Sequence, residues 1–334
     1  MAQGIDVLVL GAGVAGLTTA VCLAEAGCRV RVRTGEAPRD TTSAVAGAII
    51  GGPLFADPVE AAAKWQPLDT NLAWHRTGLA EFGALAAVPG TGVRTARGRM
   101  VSRHGADDQP WMHSLPGYAP CTEQEHAGFP VAFRMSVPLV DMPRYLGYLT
   151  DRLLAAGGEV LVTPVGSLDE AAAEAPVVVN CTGVGARTLA GDPAVFPVRG
   201  QHVVVENPGL EEFFFERSPG ATSTSFLPHG DRLLLGGTAD RDAWSRTPDP
   251  AQTEQIVRRC AEVEPRIAGA RILGVHAGLR ATRPRTRLEE ERRGDTRVIH
   301  NYGHGSVAVA MSWGCARDVQ RLVEHAPARP AAVS

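Results

Sequence analysis

The stretch Ile5-Asp6-Val7-Leu8-Val9-Leu10-Gly11-Ala12-Gly13-Val14-Ala15-Gly16-Leu17 decides the fold. Its first six residues form the short apolar run that a strand buried on both faces requires. Three glycines follow in G-x-G-x-x-G spacing, and Leu17 to Ala26 then reads as a helix with Leu17, Ala20, Val21 and Leu23 inward. Cys28 to Arg33 alternates with period two and reads as a second strand. Strand, glycine turn, helix and strand in this order make a dinucleotide-binding unit. Gly11 allows the tight turn, Gly13 lets backbone N–H groups approach a pyrophosphate, and Gly16 lets helix pack on strand. The N-terminal, positive end of the helix faces the phosphates. An acid closing the second strand takes the ribose hydroxyls in such units. Here Arg33 holds the strand end and Glu36 is the nearest acid.

Outward from this unit, the whole chain sets limits. Its 334 residues are long for one core and imply two domains, or one with a large insertion. With 44% hydrophobic and 21% charged residues it is an ordinary globular sequence. A net charge of −3 without a basic run excludes nucleic acid as the expected partner. No apolar stretch approaches the roughly 18 residues of a membrane span. The six cysteines form no C-x-x-C pair, so reduced thiols are expected in place of disulfides or a metal site. The strand pattern begins at Ile5 without a basic leader, and the last residues carry no targeting tripeptide, so a cytoplasmic location is expected. Residues 326–334, rich in Ala, Pro and Arg, read as a frayed tail.

The rest of the chain chooses between nicotinamide and flavin dinucleotides. After the second strand comes Thr41-Thr42-Ser43-Ala44-Val45-Ala46-Gly47-Ala48, then Gly51-Gly52-Pro53. A segment so small and hydroxylic suits a chain pressed on a flat ligand; a flexible loop is the bland alternative. A further strand, Val177 to Asn180, ends beside Cys181-Thr182-Gly183. A third piece, Val298 to Ser306, leads to a helix from about Trp313 to His325 with Ala316, Val319, Leu322 and Val323 on one face. Glu254 to Glu264 reads as another helix, with Ile256, Val257, Cys260 and Val263 inward. Three separated cofactor segments with a domain between them suit an extended FAD. An NAD(P)-linked dehydrogenase, the rival, would continue its βαβ units directly.

These segments, with Val198-Arg199-Gly200-Gln201, Leu235-Gly236-Gly237-Thr238, Gly278-Leu279-Arg280, Arg283-Pro284 and His300 to Gly305, resemble the D-amino-acid oxidase family nearly end to end. The resemblance implies an α/β fold: a discontinuous Rossmann-type FAD-binding domain (1–50, 140–198, 280–330) with an inserted mixed-sheet α+β substrate domain (51–139, 199–279), and residues 331–334 as tail. Val203-Val204-Val205 and Leu233-Leu234-Leu235 would line its cavity. It implies an FAD-dependent oxidase that takes hydride from the Cα of an amino acid to flavin N5. The product imine hydrolyses to a keto acid, and dioxygen is reduced to hydrogen peroxide. A flavin-binding protein without turnover is the remaining alternative. A small-molecule amino acid or amine and oxygen are the implied partners, and a homodimer is compatible with the family.

The resemblance also assigns residues. Arg280 matches the carboxylate-binding arginine, a role that suits a guanidinium fork. Gly305, Ser306, Val307 and Ala308 match the loop beside the flavin, with Ser306 near the substrate amine. His304 is expected to be structural, and Arg283 and Arg287 to make structural or flavin-side contacts. Gly47, Ala48 and Val165 join Gly11, Gly13, Val14, Ala15, Gly16, Arg33, Glu36, Thr41, Thr42, Ser43, Cys181, Thr182 and Gly183 as expected cofactor contacts. Ile50 is an expected substrate contact. Departures are informative. Ala221 and Ser225 stand where relatives carry tyrosines over the substrate, so a more open pocket is expected, suited to a D-amino acid or a bulkier or N-substituted, glycine-type amino acid. Arg217 lies one residue from a side-chain carboxylate site, Ala239 replaces another, and D-aspartate is accordingly disfavoured. Arg134 is expected as a second carboxylate anchor.

Overall fold

The computed structural model describes residues 4–51, 68–103, 112–113, 115–218 and 221–325. Gly52, Pro53 and the expected tail at 326–334 lie outside the described residues. The opening unit folds as its pattern requires: β1 (Val7–Leu10), fully buried, α1 (Val14–Glu25), and β2 (Val30–Arg33). The helix starts three residues earlier than the periodicity suggests, because the first turn begins directly after the glycine turn. The strand pattern from Cys28 is shorter than expected, beginning at Val30.

Chain order then brings α2 (Leu68–Leu85), β3 (Val93–Ser102), β4 (Ala119–Pro120), β5 (Val131–Val140), α3 (Met142–Ala155), β6 (Glu159–Leu161) and β7 (Val177–Asn180). The second half holds β8 (Phe196–Glu206), β9 (Phe213–Arg217), β10 (Thr222–His229), β11 (Arg232–Thr238), β12 (Asp240–Arg241), α4 (Pro250–Val263), β13 (Ile272–Arg293), β14 (Thr296–His304) and α5 (Ala308–Glu324). The helix expected at 254–264 starts at Pro250, a residue suited to a first helical position, with the Asp249 carboxylate accepting from the Ala251 and Gln252 N–H groups. The last helix likewise starts at Ala308 and not Trp313.

Strands β6, β2, β1, β7 and β14 are parallel neighbours in that order, with apolar helices α1, α3 and α5 packed on one face. Strands β4, β5, β3, β9, β10, β11 and β8 form a mixed array in which β3 and β9 alone are parallel. One 22-residue strand joins the two sets. The first half of β13 pairs with β8 and the second half with β14, and Thr282 has partners in both, Phe196 and His304. The expected domain boundaries at 198/199 and 279/280 therefore fall inside continuous strands. Val203, Val205, Leu233 and Leu235 face a core against α4, while Val204 and Leu234, pointing the other way, reach cavities. This is the period of a strand at work. No helix among the described residues is long and apolar enough to cross a membrane.

Candidate active site

At the C-terminal ends of β1, β2 and β7 lies a cleft of about 570 Å³. Backbone geometry shapes it. Gly11 has φ +100°, and a Cβ there would stand 2.6 Å from the Cys181 carbonyl oxygen; a Cβ on Gly16 would overlap the Gly11 carbonyl. Glycine is required at both, because turn, helix and β7 meet there without room for a side chain. The first helical N–H, from Val14, is donated to Ser43 Oγ at 3.0 Å, tying the hydroxylic segment to the helix start. Thr42 Oγ1 accepts from Leu279 N at 3.1 Å, so the same segment also grips β13.

Of the residues expected at a cofactor, Gly11, Gly13, Val14, Ala15, Arg33, Glu36, Thr41, Thr42 and Ser43 line this cleft. So do Val165, Cys181, Thr182, Gly183, Gly305, Ser306 and Ala308. Gly16 packs behind the loop. Gly47, Ala48 and Val307 face a neighbouring chamber instead. The two charged side chains are already engaged: Arg33 pairs with Glu170 and Glu174, and both Glu36 oxygens accept from Arg246 at 2.8 and 2.9 Å. The Arg33 guanidinium is thus fixed to the protein at the strand end. Behind the cleft, Asn180 Oδ1 accepts from Thr182 Oγ1 at 2.7 Å, and Asn301 links His304 Nε2 to Thr19. His304 is buried and held by Asn301 at 3.0 Å. Arg283 donates to Asp192 and Arg287 to the Tyr302 hydroxyl, bracing the turn that precedes α5.

The cleft opens into a chamber of about 170 Å³, the two sharing Thr42, Ala46, Arg280, Ser306 and Val309. Arg280 sits two residues before the point where β13 changes partners, which is why one side chain reaches both spaces. Its guanidinium lies across the sheet over Gly200, and Nη1 donates to the Thr238 carbonyl at 3.0 Å. A guanidinium anchored by one N–H keeps others for a carboxylate fork. Ser225, Ala221 and Arg217 also line the chamber. Ile50 does not: it is buried in the core, and its neighbour Ile49 faces the chamber instead. Arg134 is not a chamber residue either; it pairs with Glu125 beside the short strand β4.

Leu234 lines the chamber as expected, whereas His202, Phe215, Leu227 and Thr238 escaped the sequence reading as functional positions. They come from four strands whose register no local pattern displays. Period-two alternation does mark His202, Leu227 and Leu234 as facing opposite to their core neighbours. Burial pushes the pKa of His202 down to about 3, Arg280 and His276 adding to the effect, so the imidazole is neutral. Glu216, the one acid among the described chamber residues, is buried, pairs with Arg103 at 2.9 Å and accepts from Thr224 N.

The residues present suit a flavin dinucleotide. The glycine turn and helix start are shaped for a pyrophosphate. The cleft runs from the β2 end to Ser306 and Val309, residues it shares with the chamber. Thr41 to Ser43 line its middle and the start of α5 its far end, where first-turn N–H groups favour negative charge.

Comparison with known proteins agrees with this layout. The family model described as FAD dependent oxidoreductase matches residues 6–322. A D-amino-acid oxidase from Rubrobacter xylanophilus is 46% identical over 318 residues, covering 94% of each chain. Another from Streptomyces coelicolor is 48% identical over 322 residues, covering 95% of this chain and 96% of that protein. Among solved structures, glycine oxidase from Geobacillus kaustophilus superposes with a TM-score of 0.78 at 20% identity, covering 98% of this chain and 96% of that one. That last likeness is one of fold.

Proposed function

The chain belongs to the FAD dependent oxidoreductase family and is an FAD-dependent amino-acid oxidase, and from that premise we propose that it oxidises a D-amino acid with an uncharged side chain larger than a methyl group. The observation that carries this reading is Arg280, fixed by the Thr238 carbonyl where cleft and chamber meet. A carboxylate bound there is held at the mouth of the cofactor cleft, which is the orientation an α-carbon needs. The D configuration is supported by the two bacterial relatives, whose names give D-amino acids as substrates. The size is supported by Ala221, Ser225, Gly47 and Gly237, small residues around the chamber.

Bound FAD supplies the two-electron acceptor for the hydride that leaves Cα. The protein orients and sets charge. The Arg280 guanidinium sets a positive charge where the chamber meets the cleft, which favours the neutral over the protonated substrate amine. Burial makes the His202 imidazole a poor proton acceptor, and the Glu216 carboxylate is occupied by Arg103 and the Thr224 N–H. The substrate leaves as an imine, two electrons and two protons poorer; water converts it to keto acid and ammonia, and dioxygen takes the electrons to become hydrogen peroxide.

The test is anaerobic bleaching of the bound flavin by a panel of D-, L- and N-substituted amino acids. Fast bleaching by D-leucine or D-methionine, with the L-enantiomers inert, is expected. Bleaching by sarcosine-like N-substituted acids alone would replace this substrate class by a glycine-type one.

A further inference from the structure

We propose that His202 limits the size of the substrate's side chain, its imidazole forming the partition between the chamber and a second cavity behind it. This rests on the amino-acid reading of the chamber. The second cavity, about 460 Å³, is lined among others by Val204, His229, Val275, His276 and Ala277. His202 and Leu234 belong to the walls of both spaces, together with Val45 and Ala46.

Register places His202 relative to the carboxylate anchor. On β8, Gly200 lies under the Arg280 guanidinium and His202 is the next residue on the same face. Two residues of strand are roughly 6.6 Å, which is about the distance from a carboxylate to the δ or ε position of an amino-acid side chain. Directly opposite His202, β11 carries Gly236, and beyond it β10 carries Ser225. A Cβ on Gly236 would lie 2.8 Å from Ser225 Oγ and 3.5 Å from His202 Cδ2. A substrate side chain running along this row therefore meets the imidazole edge.

The ring also has no understudy. A Cβ on Gly47 would stand 3.5 Å from its Cε1, and one on Gly237 would stand 3.2 Å from its Cδ2. Three glycines thus surround the imidazole, and none has a side chain able to refill the space if the ring is removed. Leu234, Val45 and Ala46 are the other residues common to both walls. Truncation at position 202 joins the two cavities, whereas a leucine there keeps a side chain of similar volume without nitrogen atoms.

The experiment compares wild type, His202→Ala and His202→Leu on D-alanine, D-leucine, D-phenylalanine and D-tryptophan. For His202→Ala, kcat/KM for D-phenylalanine and D-tryptophan relative to D-alanine is expected to rise about tenfold or more, chiefly through KM. His202→Leu is expected to keep the wild-type order. Leu234→Ala thins the same partition from β11 and is expected to shift preference in the same direction, which covers the case of a poorly folding His202→Ala. Binding of acetate and of 3-phenylpropanoate, followed by perturbation of the bound flavin's absorbance, gives a readout independent of turnover, with the larger acid gaining affinity in His202→Ala. Unchanged ratios in both truncations, or an equal shift in His202→Leu, overturn the proposal. If wild type oxidises no D-amino acid, the substrate reading fails, while the carboxylate titration still decides the role of His202.

Discussion

The Arg280 guanidinium and the backbone of Gly200 are in direct contact: a Cβ on Gly200 would stand 2.5 Å from both terminal nitrogens and 2.6 Å from Cζ. The Arg280 side chain thus lies flat on a strand because the strand has no side chain at that point. Gly200→Ala is expected to displace the guanidinium and raise KM about 10- to 100-fold, since a shift near 1 Å at a positioning group has effects of this order. Arg280→Lys keeps the charge and loses the fork, about 1.5–3 kcal/mol, or roughly 10- to 150-fold in substrate affinity. Both variants should bind FAD as wild type does. Steady-state kinetics beside a flavin titration checks this; a matching loss of FAD affinity in Gly200→Ala would show that the glycine serves the cleft.

At the other end of the site, Ser43 and Gly16 act on the same helix start by different means. Ser43→Ala removes the hydroxyl that accepts from Val14 N, and a lost helix cap costs about 1 kcal/mol. Gly16→Ala instead drives a Cβ into the Gly11 carbonyl, which no rotamer relieves. It should cost about 1–3 kcal/mol by overpacking and weaken FAD binding besides. Thermal denaturation of apo- and holoprotein separates the two: the gap between their Tm values should narrow more for Gly16→Ala.

The contrast between the two ends shows what a sequence displays. Gly11, Gly13 and Gly16 were legible because one short segment builds its own geometry, so spacing alone carries the reason. The order of motifs pointed to Arg280, which the fold sets where cleft and chamber meet. His202 and Thr238 were not legible, because they come beside Arg280 only when β8, β11 and β13 pair in register. Ile50 illustrates the same limit: a one-residue step exchanges core for chamber, and Ile49 takes the place expected of it. Arg134 was misplaced for a related reason, since its strand turns it toward Glu125.

Thiol chemistry offers a separate check of the packing. All six cysteines are free; Cys22, Cys181, Cys260 and Cys315 are buried, and Cys28 and Cys121 are partly exposed. Burial pushes Cys22, Cys181 and Cys260 up to about 12 and raises Cys28 and Cys121 as well. Alkylation of native holoenzyme at pH 8 should label Cys28 and Cys121 slowly and leave the four buried thiols until unfolding. Reducing agent should leave activity unchanged. Early labelling of Cys181 would mean that the turn beside Gly11 opens readily.

The buried histidines predict an acid-side loss of stability with a definite window. Burial pushes His202 down to about 3, Arg280 and His276 contributing, against the pull of the Val45 backbone. It pushes His229 down to about 4, with Arg94, Arg232 and Arg144 adding to burial and Asp141 opposing it. An unfolded histidine takes a proton near pH 6.5. Below that pH the unfolded chain binds protons that the folded chain refuses, so the equilibrium moves toward unfolding as pH falls. The contribution is complete above pH 6.5 and is lost progressively toward pH 4. Asp192, whose carboxyl is held low by Tyr302 and Arg283 in spite of its burial, acts only below the ordinary carboxylate range and leaves this window to the histidines. His300, also lowered by burial, titrates against unfolding in the same direction and is present in every variant considered. His202→Leu and His229→Leu should each flatten the fall of Tm between pH 6.5 and 4.5, and the double variant more than either. Parallel Tm profiles in wild type and the double variant would show that these two imidazoles accept protons in the folded enzyme as freely as in the unfolded chain.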